Sequence, residues 1–253
     1  MSFRSVARSA RSAAGSYLLH ALHRRPALLG QKGPFISFTF DDFPRSAGTV
    51  GAAILERYGV RATFYVAMGL MGTTNELGEL FEAEDLQSLA RRGHELGNHS
   101  YSHRKCCEMT SASFQQDIER SKEAMREASG IVPSDNFAYP YGEVTLTTKE
   151  TLRSSTSSCR TTNAGLLGPE VDLNFLSANR LYGDGPIDPV RRLIDENRLQ
   201  KSWLIFYTHD ISPTPSPFGC TPTFLENAVS IALESGAKVL PIGGVLRELA
   251  TSS

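Results

Sequence analysis

The sequence predicts an α/β fold built on a parallel sheet. Short stretches rich in β-branched and aromatic residues alternate with helix-like stretches, and no run of consecutive hairpins interrupts the alternation. Polar side chains suited to catalysis follow several of the predicted strands directly. In a parallel barrel the active site is built at that end of the strands, so the pattern favours a barrel with outer helices.

The predicted elements follow one another with recognisable start and stop signals. Strands are predicted at residues 35–40, 61–66, 95–98, 136–139, 157–161, 176–181, 203–208 and 237–240. Helices are predicted at residues 47–58, 83–92, 112–129, 147–154, 186–199, 224–235 and 243–250. Glycines close the first three helices, Ser111 caps the third, and Asp188 with Pro189 opens the fifth. Residues 165–176 and the proline-rich residues 211–222 are predicted to be loops, and the second is long enough to carry function.

The composition indicates a globular domain with no excess of either charge. The chain has 253 residues, of which 40% are hydrophobic and 21% charged, and its net charge is −1. That total leaves no electrostatic footprint for nucleic acid. Four cysteines without CxxC spacing are typical of free thiols rather than of a disulfide framework.

The first 33 residues form a basic leader, which contains six arginines and lysines and no acidic residue. Residues 5–23 could form an amphipathic helix on a membrane surface, or a surface helix packed on the domain and followed by a linker. No apolar run is long enough for a secretory signal or a membrane span. We therefore expect a cytoplasmic protein with a leader at residues 1–33 and a catalytic domain at residues 34–253.

Two stretches carry the strongest chemical signal. Asp41 and Asp42 directly follow the predicted strand at residues 35–40. About sixty residues later, His99 and His103 follow another predicted strand. One carboxylate and two imidazoles make a metal site that leaves coordination positions open for water and substrate. The other carboxylate is then free to act as a base, so the pattern indicates a metal-dependent hydrolase. Helix capping is the alternative role for either aspartate.

Tyr141 and His209 also follow predicted strands, and two further motifs surround them. With these motifs included, the sequence resembles the polysaccharide deacetylase family, also called the NodB-homology domain or carbohydrate esterase family 4. The matching motifs are TFDD at residues 39–42, GHELGNHSYSH at 93–103, FAYPYG at 137–142 and YTHD at 207–210. Their order and spacing match the family from about residue 35 to residue 244.

The resemblance implies a distorted (β/α) barrel that removes acetyl groups from N-acetylglucosamine units of a glycan. By position, Asp42, His99 and His103 would hold a divalent metal, usually zinc, although the ligand types also permit cobalt, nickel or manganese. Asp41 would be the general base and His209 the general acid. The backbone N–H of Tyr141 would contribute to an oxyanion hole. Without the resemblance, Tyr141 could equally be a core or rim aromatic.

The sequence departs from the family pattern at three places. Ala138 replaces the arginine that contacts the base in the family, and we expect Arg180, at the end of a predicted strand, to take over that contact. The usual acidic partner of the catalytic histidine is missing, and Asp184 is a weak candidate for it. Phe206 replaces a leucine, which suggests a reshaped acetyl pocket.

Two other functions remain open at this stage. A sugar-binding module without turnover would keep the groove but lose a ligand or a proton-transfer residue. A related barrel hydrolase acting on a cyclic amide or ureide would keep the metal cluster and alter the acetyl-binding parts. The partner that we expect is an N-acetylated glycan, with no nucleic acid.

Overall fold

The computed structural model describes residues 18–251, and a parallel eight-stranded sheet lies at its centre. The strand order is β10-β11-β2-β3-β6-β7-β8, and the eighth strand, β12, pairs with β2. These strands are β2 (Phe35–Phe40), β3 (Thr63–Val66), β6 (Glu95–Asn98), β7 (Asn136–Ala138), β8 (Ser158–Arg160), β10 (Asn179–Arg180), β11 (Trp203–Thr208) and β12 (Lys238–Val239).

Helices cover the outside of the sheet and one end of it. They are α1 (Ala52–Arg57), α2 (Ala83–Arg91), α3 (Ser111–Ser129), α4 (Leu146–Arg153), α5 (Asp188–Gln200), α6 (Pro222–Glu234) and α7 (Ile242–Ala250). A π-helical turn, Ala47–Gly51, leads into α1. The predicted alternation of strands and helices is confirmed, with boundaries shifted by at most three residues when the π-helical turn is counted with α1.

Strand β2 shows how the fold divides its side chains between two layers. All six of its residues are buried, as expected for a central parallel strand covered on both faces. Because successive side chains point to opposite faces, Ile36, Phe38 and Phe40 pack against the outer helices. Phe35 belongs instead to the inner cluster with Trp203.

The sheet curves into a distorted barrel, as the sequence predicts. A bridge between Arg160 and Leu176 connects β8 with the segment that leads into β10 and so closes the circle. At the amino ends of the strands, helix α7 covers the opening. The N–H groups of Ile242 and Gly243, in its first turn, donate to Thr63 and Glu95.

Short antiparallel pairs add to the predicted elements. Strands β1 (Pro26–Leu28) and β9 (Glu170–Asp172) pair, so part of the predicted loop at residues 165–176 is a strand. This pairing also attaches part of the basic leader to the barrel, whereas residues 1–17 lie outside the described part. The division of the chain at residue 33 stays a prediction. A hairpin of β4 (Thr74–Asn75) and β5 (Gly78–Glu79) rises beside the carboxyl ends of the strands.

No helix within residues 18–251 combines the length and the apolar character that crossing a bilayer requires.

Candidate active site

The side chains singled out in the sequence gather at the carboxyl ends of the barrel strands. Asp41 and Asp42 follow β2, His99 follows β6, Tyr141 lies three residues beyond β7 and His209 follows β11. Parallel strands bring these positions to one edge, which is where barrel enzymes build their sites. They line a cavity of about 600 Å³.

Asp42, His99 and His103 form the centre of this cavity. One ligand atom from each lies within 4.8 Å of the others, and Nε2 of His103 and His99 lie 2.9 and 3.5 Å from Oδ1 of Asp42. The structure thus brings the three predicted metal ligands together.

The chemistry of these three residues fits a divalent cation. Within residues 18–251, Oδ1 of Asp42 is buried without a hydrogen-bond partner, so the short contact to His103 lacks hydrogen-bond geometry. A buried carboxylate oxygen in that state is costly unless a cation lies beside it. Nδ1–H of His99 donates to the carbonyl of Ala138 at 2.8 Å, which turns the unprotonated Nε2 towards Asp42.

Electrostatics keep two members of this cluster, Asp42 and His99, in the protonation states that ligation needs. Burial raises the pKa of Asp42, but its contacts with His103 and the neighbouring histidines outweigh burial, and the pKa lies far below its usual value. Burial lowers the pKa of His99 to about 4, so its imidazole is neutral at pH 7. Burial also lowers the pKa of His103, but the adjacent Asp42 more than offsets this and the net shift is upward.

Backbone strain is concentrated in the same loops. Seven residues other than glycine have a positive φ in the described part of the chain, and five of them belong to the turns that form the site. These five are Asp42, Phe43, Ser100, His103 and Tyr141. Each such conformation costs on the order of 1–3 kcal/mol and persists only where the surroundings hold it.

The loop that carries His99 and His103, the two predicted histidine ligands, is held from below by α3. The buried carboxylate of Asp117 accepts hydrogen bonds from the backbone N–H groups of Tyr101 and Ser102 at 3.0 to 3.2 Å. Ser100 accepts one from the N–H of His103 at 3.1 Å. Asp117 is not among the residues predicted from the sequence, although a single acid on the apolar face of α3 was a usable signal.

Asp41 is paired with an arginine that the sequence analysis missed. Nη2 of Arg160 lies 2.5 Å from both carboxylate oxygens of Asp41, and both side chains are buried. Arg160 is the last residue of β8, next to β7, whose Ala138 lacks the family's arginine. Burial lowers the pKa of Arg160, but Asp41 more than compensates, so the net shift is upward.

The predicted contact between Arg180 and Asp41 is therefore wrong. Nε of Arg180 donates instead to the phenol oxygen of Tyr207 at 3.3 Å. Arg180 still lines the cavity, but its strand β10 lies beyond β11, whereas β8 approaches Asp41 across the barrel. Arg160 could have been found as the other arginine that ends a predicted strand.

His209 lies at the edge of the cavity with its Nε2 3.9 Å from Oδ2 of Asp42. Its Nδ1–H donates to the carbonyl oxygen of Phe218 at 3.1 Å, so a backbone carbonyl takes the place considered for Asp184. The neighbouring Asp210 holds this loop, because its buried carboxylate accepts hydrogen bonds from the N–H and the hydroxyl of Ser216.

Phe206 does not reshape the cavity. It is fully buried in the outer layer and stacks on Phe38, with ring centroids 5.7 Å apart. The alternation of β11 turns the next residue, Tyr207, towards the cavity. Tyr141 does lie at the cavity rim, where its exposed ring packs 4.8 Å from the ring of His103.

The chain belongs to the polysaccharide deacetylase family. The family model for polysaccharide deacetylase matches residues 30–157, about half of the chain. This region includes the aspartate pair, both predicted histidine ligands and Tyr141.

Individual relatives share the domain at low identity. The peptidoglycan-N-acetylglucosamine deacetylase of Bacillus cereus is 30% identical over 117 residues, 44% of this chain and 39% of that protein. The curated relatives are matched over only 16% to 39% of their length. A family 4 carbohydrate esterase from Streptomyces lividans in complex with acetate superposes with a TM-score of 0.55 at 19% identity, covering 83% of this chain and 91% of that one. PdaA of Bacillus subtilis, also a family 4 carbohydrate esterase, gives a TM-score of 0.56 at 16% identity, with coverage of 92% and 88%.

Proposed function

We propose that this protein is a metal-dependent hydrolase that removes N-acetyl groups from N-acetylglucosamine-containing poly- or oligosaccharides. The observation that carries the proposal is the convergence of Asp42, His99 and His103 beside an arginine-paired Asp41 and a cavity-facing His209. Family membership and the name of the Bacillus cereus relative support this choice of bond and sugar.

Asp42, His99 and His103 would hold the metal ion, and zinc suits this ligand set best. A divalent cation bound there polarises a carbonyl and lowers the pKa of a coordinated water to about 7. The ligand set would also accept cobalt, nickel or manganese. All other parts of the reaction can be assigned to the chain itself.

Asp41 would accept a proton from the attacking water as the oxygen of that water bonds to the acetyl carbon. Arg160, which lies against both oxygens of Asp41, fixes the orientation of the carboxylate before the reaction. The backbone N–H of Tyr141 would donate to the oxyanion that develops on the carbonyl oxygen. Losing one donor of this kind typically costs about 3 kcal/mol of transition-state stabilisation.

His209 would donate a proton to the nitrogen of the breaking C–N bond, so that acetate and a free amine leave. An amine is a very poor leaving group unless it is protonated, and imidazole exchanges protons near neutral pH. The hydrogen bond from Nδ1 to Phe218 supports this role, because it leaves Nε2 as the nitrogen that carries the exchanged proton into the cavity.

The substrate would lie along the cavity, with its acetamide between His209 and the adjacent aspartates Asp41 and Asp42. The name of the Streptomyces lividans structure reports bound acetate, which would be one product of this reaction. A cytoplasmic location and a membrane contact through residues 1–33 stay predictions.

Acetate release from N-acetylglucosamine oligomers tests the proposal. We expect release by the zinc-loaded protein, loss of release with a chelator, and recovery when zinc is added back. Asp41→Asn should lower kcat by 10²-fold or more while zinc still binds, because it removes the base and none of the three proposed ligands. Oligomer binding without acetate release would identify a sugar-binding module. Release of ammonia or ring opening from a cyclic amide, without acetate release, would favour the other barrel hydrolase.

A further inference from the structure

Arg180 carries a positive charge that nothing in the described residues neutralises. Its side chain is exposed in the cavity wall, and its hydrogen bond to Tyr207 uses only Nε. Within residues 18–251 no carboxylate lies within ion-pair distance of its guanidinium. A guanidinium has five N–H donors, so four remain free to face the cavity.

The acidic side chains that line the cavity already lie beside positively charged or metal-ligating groups, apart from one. Asp41 is paired with Arg160, and Asp42 lies with the two histidine ligands. Glu76, from the turn between β4 and β5, also lines the cavity but makes no ion pair with Arg180 in the described structure. Arg180 is the only arginine or lysine among the cavity-lining residues that the structure describes.

The guanidinium lies in the wall of the same cavity as the proposed acid His209. The phenol of Tyr207 anchors it, and its central carbon lies 6.0 Å from the ring centroid of Tyr182. Tyr182 in turn lies 5.9 Å from the ring of His209. Arg180 and the proposed acid therefore both lie about 6 Å from the ring of Tyr182, in the wall of one cavity. A preorganised guanidinium of this kind recognises planar or tetrahedral oxyanions better than neutral hydroxyls.

We propose that Arg180 binds an anionic substituent, a carboxylate or a phosphate, on the sugar next to the one that is deacetylated. The preferred substrates are then anionic N-acetylated glycans rather than neutral ones. This inference rests on the proposed deacetylase function and adds the charge of the substrate to it.

The test compares matched oligosaccharides that differ only in one substituent beside the N-acetylglucosamine unit. The four probes carry a hydroxyl, a carboxylate, the methyl ester of that carboxylate and a phosphate monoester. We expect kcat/KM to be at least about tenfold higher for an anionic probe than for the hydroxyl and methyl ester probes, mainly through KM. The carboxylate and phosphate probes show which anion is preferred.

Two variants assign the preference to Arg180. Arg180→Met should lower the ratio of anionic to neutral kcat/KM by about tenfold and remove the dependence of that ratio on ionic strength. Glu76→Gln is the matched control in the same cavity, and it should move the ratio the other way, because it removes a negative charge. Zinc content and thermal unfolding of both variants show whether the site and the fold are intact.

The outcomes separate this inference from the proposed function. Equal kcat/KM for all four probes, or an anionic preference that survives in Arg180→Met, overturns the role of Arg180 while deacetylation stands. No acetate release from any probe by the zinc-loaded protein overturns both.

Discussion

At the scale of single residues, the buried pair of Asp41 and Arg160 is the contact on which the proposed base depends. Neither side chain is exposed enough for water to solvate its charge if the partner is lost. Removing one member of such a pair leaves an uncompensated buried charge and typically costs about 3–5 kcal/mol of stability.

A double-mutant cycle on this pair makes the dependence measurable. We expect Arg160→Met and Asp41→Asn each to lower the free energy of unfolding, with Arg160→Met costing about 3–5 kcal/mol. The double variant should cost at least about 1 kcal/mol less than the sum, because it leaves no buried charge unpaired. Urea unfolding measures all four proteins. Strict additivity would contradict a direct pairing of these side chains.

His94 lies in the same motif as the proposed metal ligands His99 and His103 but has a structural role. Its Nδ1 accepts the N–H of Ala62 at 3.2 Å, and its Nε2–H donates to Glu56 at 2.8 Å. Burial lowers its pKa below the ordinary value of 6.5, despite the nearby Glu56 and with help from the positive charges of Arg92 and Arg61. Just below pH 6.5 the imidazole of His94 therefore stays mostly neutral in the folded protein, whereas in the unfolded chain it takes up a proton.

We consequently expect the free energy of unfolding to decrease as the pH falls, and His94 to cause part of this decrease. Well above pH 6.5 both states are neutral at this residue, so it adds no pH dependence there. As the pH falls below 6.5, the unfolded state binds the proton first and the free energy of unfolding decreases. We expect His94→Gln to be less stable than the wild type at pH 7 and to lose less stability between pH 7 and pH 5. Parallel slopes for the two proteins would contradict this account.

At the scale of elements, strand β6 can take its place only because residue 97 is a glycine. A Cβ added at Gly97 would lie 2.7 Å from two ring carbons of the fully buried Tyr65. Tyr65 lies below the site, where its ring faces the guanidinium of Arg160 at 5.0 Å. Close packing of β6 against β3 thus supports both His99 and the arginine pair.

We expect Gly97→Ala to destabilise the protein by about 1–3 kcal/mol through overpacking of the inner layer. Gly168→Ala is the matched control, since no atom lies within 4 Å of the added Cβ and its backbone has no positive φ. Thermal unfolding of both variants checks the difference. Equal melting temperatures would show that the inner layer yields to the added methyl group.

The elements also show what the sequence could predict. Central strands such as β2 and β11 were predicted at their observed bounds because their buried residues are continuous in sequence. Strand β1 was missed, since three residues become a strand only through pairing with β9, more than 140 residues away. The partner of Asp41 was misassigned for the same reason. Arg160 and Arg180 both end strands, and only the closure of the barrel brings Arg160 to Asp41.

At the scale of the whole molecule, residues 24–33 behave as part of the barrel. Leu29 is fully buried, and the backbone N–H of Arg25 donates to Asp172 at 2.8 Å. The ammonium of Lys32 donates to the carbonyl oxygens of Glu248 and Leu249 near the end of α7. These contacts connect residues 24–33 to strand β9 and to helix α7.

A chain that begins at Pro34 should therefore be less stable than one that begins at Arg24. The longer version keeps β1, Leu29 and the Lys32 contacts, and burying one leucine alone contributes about 1.5–3 kcal/mol. We expect a difference of at least about 2 kcal/mol in the free energy of unfolding, measured in urea. Equal stabilities would support the predicted domain boundary at residue 33.

The account as a whole depends on Asp42, His99 and His103 holding one cation, and calorimetric titration of the metal-free protein with zinc tests this most directly. We expect the wild type to bind one equivalent and His103→Ala to bind at least about 10²-fold more weakly, because it loses one of three protein ligands. His94→Gln, which removes a buried histidine outside the site, should bind zinc as the wild type does. Absence of zinc binding by the wild type, or unchanged affinity in His103→Ala, would contradict the central claim.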